Sequence, residues 1–341
     1  MCIGIAADHG GFELKVETTA SLKAAGYEVA GFGAHELATL LETDQTRCFD
    51  GAGRALPCAG SGQDAEFKTH RRTTTERFQA MTDVVLDSLT GLTWCRNANP
   101  AEFPLDWQTA HDFISEMNGV RAFGRSDWHL PSRRDLFTLI SHEVFNPALP
   151  KDHPFMNVFP GYYWTRTPCH RLPDQAWYIH IGGGRIYRGM KHGSCMVWPV
   201  VSPGGELPSV EDPWCWEIDR QGILDRRTGL TWGHPADAAR RSVTWQEALD
   251  GVKAMNRNAA GRHTDWRLPN IRELESLTDM NSNSPALPPN YPFEGIADGY
   301  WSSTTSVYEP RYAWVLYTRD GAVGVGFKAK PDFHAWAVRR G

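Results

Sequence analysis

A chain of 341 residues has room for two or three domains, each with its own core. Its formal net charge of −5 leaves no basic footprint for nucleic acid, and 22% charged residues is close to the usual quarter. No apolar run of about 18 residues is present, so no membrane-spanning helix is expected.

The first residues lack the basic start and long apolar stretch of a secretory signal. Residues 1–36 read as strand, Gly-containing loop, helix and strand, a small βαβ-like unit. The run from Cys2 to Ala6 is the first strand, and Asp8-His9-Gly10-Gly11 is the loop. A helix is predicted over 12–25, stopped by Gly26, and a second strand over 27–32. This stretch resembles the N-terminus of ribose-5-phosphate isomerase of the B type. The resemblance implies that Asp8 and His9 contact a sugar phosphate. On that alternative reading the chain is a sugar-phosphate isomerase or sensor. The catalytic Cys loop of that family has only a superficial counterpart in Cys58-Ala59-Gly60-Ser61-Gly62, which follows Ala55-Leu56-Pro57 rather than an apolar strand.

Residues 37–82 hold few apolar runs and many Gly, Thr, Arg and Asp residues, so they read as a linker or irregular extension. Cys48 and Cys58 flank a turn-rich loop there. They would pair in an oxidising environment and stay free thiols otherwise, and the odd count of seven cysteines leaves both open.

The rest of the chain is written twice. Asp127-Trp128-His129-Leu130-Pro131 returns as Asp265-Trp266-Arg267-Leu268-Pro269, an offset of 265 − 127 = 138. Thr90-Gly91-Leu92-Thr93-Trp94 returns as Thr228-Gly229-Leu230-Thr231-Trp232 at the same offset. Trp107 returns as Trp245 at 138, Tyr163-Trp164 and Trp177 return as Tyr300-Trp301 and Trp314 at 137, and Trp198 as Trp336 at 138. Twelve of fourteen tryptophans thus form six pairs, which assigns them to architecture rather than to a site. The expected boundaries are 83–202 for the first repeat and 203–341 for the second.

Each repeat has one grammar. A first helix starts at Trp107 and Trp245, with apolar residues at Ala110, Ile114 and Met117 matched by Ala248, Val252 and Met255. Thr244-Trp245-Gln246-Glu247 is a capping box. Each Pro of the repeated phrase leads into a second helix capped by Ser132 or Asn270, with Leu136, Leu139, Leu274 and Leu277 facing inward. An antiparallel sheet follows. Arg319-Asp320-Gly321 marks a hairpin turn, Gly182-Gly183-Gly184 takes its place in the first repeat, and a last strand is predicted over 334–339.

The ordered motifs Thr-Gly-Leu-x-Trp, Trp-Gln-x-Ala, Asp-Trp-Arg-Leu-Pro-x-x-x-Glu-Leu and Tyr-Trp-Ser-Ser-Thr resemble the Lcl C-terminal domain family, named for a bacterial collagen-like adhesin. The second repeat fits through Trp266, Arg267, Leu268, Pro269, Glu273 and 301–304. The first departs at His129, Asp135 and Thr165-Arg166. The segment 48–62 resembles the lead-in of such proteins. The resemblance implies an α+β chain with two tandem C-type-lectin-like domains, each of two helices plus an antiparallel sheet. It also implies a binding role toward glycan or protein surfaces and export to the cell surface. Lectin-fold proteins of this kind include members diversified by retroelements.

No His-Glu-x-x-His, Gly-x-Ser-x-Gly or Ser/His/Asp grouping is present, so no catalysis and no cofactor are expected. Asp279, Asn281 and Asn283 alternate as calcium ligands would, without a 12-residue EF-hand pattern. Trp128, Pro131, Trp266, Arg267 and Pro269 read as scaffold, with Asp265 and Arg267 bonded locally. The ligand candidates combine flat faces and cationic donors late in the second repeat: Tyr308, Arg311, Tyr312, Tyr317, Arg319, Phe327, Lys328, Lys330, Phe333 and His334. A structural or assembly protein, with the repeats packing on partners or in an oligomer, is the remaining alternative.

Overall fold

The computed structural model describes residues 2–5, 28–31, 42–68, 77–203, 214–219, 222–234, 241–258 and 263–340. Strands β1 (Cys2–Ile5) and β2 (Glu28–Gly31) pair in parallel. The predicted loop carrying Asp8 and His9, and the helix after it, lie outside the described residues.

Each repeat opens with a small antiparallel sheet that the sequence reading did not anticipate. In the first repeat it joins β5 (Phe78–Ala80), β6 (Val84–Asp87) and β7 (Thr93–Cys95) with β11 (Val200–Val201). In the second it joins β12 (Trp216–Asp219), β13 (Gly222–Asp225) and β14 (Leu230–Trp232) with β18 (Val338–Arg340). β5 lies within the stretch read as linker, and its twin β12 lies within the second repeat. The last strand is shorter than predicted. His334–Ala337 instead runs beside β15, with the Trp301 N–H donating to His334 O and the His334 N–H to Gly299 O.

The helices follow the sequence. α1 (Trp107–Gly119) and α3 (Trp245–Arg257) bury Ala110, Ile114, Met117, Ala248 and Val252 as the periodicity placed them, while Met255 is half-buried. The short α2 (Arg133–Thr138) and α4 (Ile271–Ser276) both carry complete capping boxes, Ser132 with Asp135 and Asn270 with Glu273. These bonds satisfy helix-end N–H groups that have no partner within the helix. Ten of the twelve paired tryptophans are buried, while Trp107 and Trp266 are half-buried. Their ring N–H groups bond alike in both repeats: Trp198 to Cys95 O at 2.9 Å and Trp336 to Gly233 O at 2.8 Å.

The two repeats share one sheet. Strands β8 (Tyr162–Pro168), β9 (Gln175–His180) and β10 (Ile186–Met190) of the first meet β15 (Tyr300–Thr305), β16 (Tyr312–Tyr317) and β17 (Ala322–Phe327) of the second. The order is β15-β16-β17-β10-β9-β8, so the inner strands of the two halves join at the centre. The joining pair is Ile186 with Val323, antiparallel and buried. These two residues are equivalent at the 137 offset. The seam is therefore isologous, as in a two-fold dimer, but within one chain.

The segment expected as linker is in part a packed staple across that seam. Cys48 and Cys58 form a disulfide around the hairpin of β3 (Cys48–Phe49) and β4 (Ala55–Leu56). The Gln45 amide donates to His142 O of the first repeat and Thr305 O of the second, and it accepts from the Thr305 N–H at 2.9 Å. Asp64, fully buried, accepts from Thr43 and Thr304 hydroxyls at 2.6 and 2.8 Å. The twin of Thr305 is Pro168, which has no N–H to satisfy, so the uncovered first repeat leaves no orphan donor there.

Candidate ligand groove

The outer face of the shared sheet forms a groove of about 960 Å³ that crosses the seam. Tyr162 on β8, Tyr178 on β9 and Tyr187 on β10 supply ring faces from the first repeat, and Tyr317 on β16 faces them from the second. They project there because strand residues alternate between faces: Ile179 and Ile186 point into the core, so Tyr178 and Tyr187 point out. Tyr162 packs edge-on against both Tyr178 and His180, at 4.8 Å between ring centres.

The floor is made of small residues on β17. The twin of Tyr187 is Gly324, and the twin of Arg185 is Ala322. A Cβ on Gly324 would sit 3.0 Å from the Tyr317 ring, so the ring lies directly over bare backbone. Large side chains from one repeat thus face small ones from the other.

The groove is cationic. Arg171, Arg185 and Arg319 are exposed and have no ion-pair partner among the described residues. Arg188 bonds Asp320 across the seam at 2.6 Å, between the rings of Trp177 and Tyr187. Only Asp298 and Asp320 oppose these four arginines along the lining. Burial, then the nearby Arg185 charge, holds His180 below the usual imidazole range, so it is neutral at pH 7. Burial, then the neighbouring Tyr187, raises Tyr317. The site therefore offers neutral hydrogen-bonding rings and fixed guanidinium charge, a combination suited to ring faces and oxyanions.

Of the ten ligand candidates, Tyr308, Tyr317 and Arg319 line this groove. The others are placed elsewhere. Lys328 is 2% exposed, stacked 3.9 Å from the Trp245 ring centre and donating to Thr305 Oγ1, Phe49 O and Asp50 O. Phe333 packs on Trp301 and Tyr317, while His334 bridges Tyr300. Tyr312 and Phe327 pack on each other, Arg311 pairs with Glu309, and Lys330 is exposed beyond β17. The groove residues of the first repeat were missed because its strands read as plain sheet. The available signal was Tyr162, Tyr178 and Tyr187 alternating with apolar core residues.

The remaining candidates are scaffold by their contacts. Trp128, Pro131 and Pro269 are buried, and Arg267 makes a bidentate pair with Glu273 at 2.5 and 2.6 Å. Asp265 departs from the expected role, being exposed, with His263 at 4.0 Å as its one ion-pair partner among the described residues. Asp279, read as a calcium ligand, gives its carboxylate to the Asn281 N–H and the Ser282 hydroxyl in its own turn. Among the described residues no three His, Cys, Asp or Glu side chains gather as a metal site, and no helix is long and apolar enough to cross a membrane.

A tandem of α+β repeats joined through one sheet, with a groove at the join, is the class these features define. The pattern of the Lcl C-terminal domain matches residues 83–201 and again 221–339, and the chain belongs to that family. A comparison with curated proteins gives no match. Residues 1–36 lie outside both matched stretches, so the likeness to the isomerase gains no support.

Proposed function

We propose that this chain is a non-enzymatic, adhesin-like binding protein of two C-type-lectin-like domains, whose site is the groove across the seam. Its ligand is a glycan chain bearing anionic groups. The observation that carries this reading is the concentration, in one groove, of tyrosine faces and three arginines without an ion-pair partner among the described residues, on a chain of net charge −5. Tyrosine buries the apolar face of a sugar ring, and arginine donates to carboxylate or sulfate.

A glycan array tests the proposal, using the whole chain and a variant carrying Tyr187→Ala, Arg185→Ala and Arg319→Ala. The wild type is expected to be retained on acidic glycans and the variant, with unchanged melting, to lose them. Retention that ignores the three substitutions would remove the groove from the account. An array without retention would overturn the glycan reading.

A further inference from the structure

Internal symmetry makes the groove's two ends comparable position by position. At one end the lining residue Tyr308 meets the exposed Phe145 ring edge to face, 5.4 Å between centres, and Asn146, next to Phe145, lines the groove beside the turn of Gly182 and Gly183. The twins of these residues define the other end. Tyr308 corresponds to Arg171, Phe145 to Asn283, and Gly182 to Arg319. Equivalent backbone bonds hold both turns, Asn146 N–H to Gly182 O at 3.0 Å and Ser284 N–H to Arg319 O at 2.7 Å. The frames match while the chemistry is opposite.

Resting on the groove as the binding site, we infer that it is directional. It takes one asymmetric ligand, with a planar ring at the Phe145–Tyr308 end and a carboxylate or sulfate at the Arg171–Arg319 end. A symmetric pair of repeats would accept a chain in either sense. This one discriminates, because reversing the ligand would set its anion against two exposed aromatic rings and leave two guanidiniums facing an apolar ring. The duplication within one chain is what allowed the two ends to diverge.

The probe is 4-methylumbelliferyl β-D-glucuronide, with an aryl ring at one end and a carboxylate at the other. The neutral 4-methylumbelliferyl β-D-glucoside serves as its control. Binding to the full chain is followed by saturation-transfer NMR and titration. The glucuronide is expected to bind about tenfold more tightly, with the advantage lost in high salt. Arg171→Ala with Arg319→Ala should erase that advantage, bringing the two probes to equal affinity. Tyr308→Ala should weaken both probes together. Equal affinity for the two, no binding of either at millimolar concentration, or arginine and tyrosine variants acting alike on both would overturn the directional site. If array binding still depends on Arg185 and Tyr187 after such a result, the groove reading survives without its direction. If that dependence fails as well, both readings fall.

Discussion

Arg134 and Arg272 stand at equivalent positions, and each donates to the main chain of the opposite repeat. Arg134 reaches Ser276 O and Thr278 O at 3.4 and 2.5 Å, and Arg272 reaches Thr138 O and Ile140 O at 3.2 and 2.7 Å. The acceptors are themselves equivalent pairs at the 138 offset. A second donor reaches one carbonyl of each set from a non-equivalent position: Arg77 donates to Thr138 O and Arg227 to Ser276 O, at 2.9 and 3.0 Å. The seam is thus a reciprocal interface whose buried carbonyls depend on guanidinium donors, and it fixes the groove above it.

Arg272→Ala is expected to destabilise by about 2–3 kcal/mol, since it leaves buried carbonyls short of a charged donor. Arg134→Ala, at a site with 30% side-chain exposure, is expected to cost about 1 kcal/mol. Because the sheet is continuous, calorimetry should show one transition for both repeats, shifted down in each variant. Two separate wild-type transitions would contradict the shared seam.

Arg267→Ala should cost about 3–5 kcal/mol, because it strands the Glu273 carboxylate, 3% exposed, without its partner. Asp265→Ala should stay within about 0.5 kcal/mol, as expected of an exposed side chain. Urea denaturation of the two variants separates the residues of the repeated phrase that the sequence treated alike.

The Cys48–Cys58 bond closes a loop of sequence separation 10 over the seam. Replacing both cysteines by serine is expected to lower stability by about 2–3 kcal/mol, mainly by freeing the unfolded chain. A reductant should lower the melting temperature of the wild type and leave the variant unmoved.

Lys328 gives a pH dependence. Burial pushes its ammonium down to about 7, against a value near 10.5 in the unfolded chain. Between those values the unfolded state binds the proton and the folded state does not, so this group's contribution to stability falls as pH drops from about 10 toward 7, then levels off. Across pH 7 to 9 the wild type should gain on the order of 2 kcal/mol relative to Lys328→Met. Parallel pH profiles for the two would show that the amine is solvated.

Much of the frame was readable from residues alone. The offsets of 137 and 138 paired the tryptophans, the capping boxes placed α2, α3 and α4, and Asp320-Gly321 marked the β16–β17 turn. The small sheets escaped because β7 and β14 are three residues long and are completed by strands more than a hundred residues away. Lys328 looked like a surface cation because nothing local says that Phe49 and Asp50 will cover it, while its twin Lys191 stays partly exposed over Trp107. The groove itself arises from two repeats meeting, so half of its residues carried no local sign of a site.

Stoichiometry tests the central claim most directly. An acidic oligosaccharide retained on the array is titrated into the full chain by calorimetry, and the count is checked by native mass spectrometry. A groove built jointly by both repeats predicts one ligand per chain, lost when Tyr187 of the first repeat or Arg319 of the second is replaced by alanine. Two equivalent ligands per chain, each sensitive to substitutions in its own repeat alone, would contradict it.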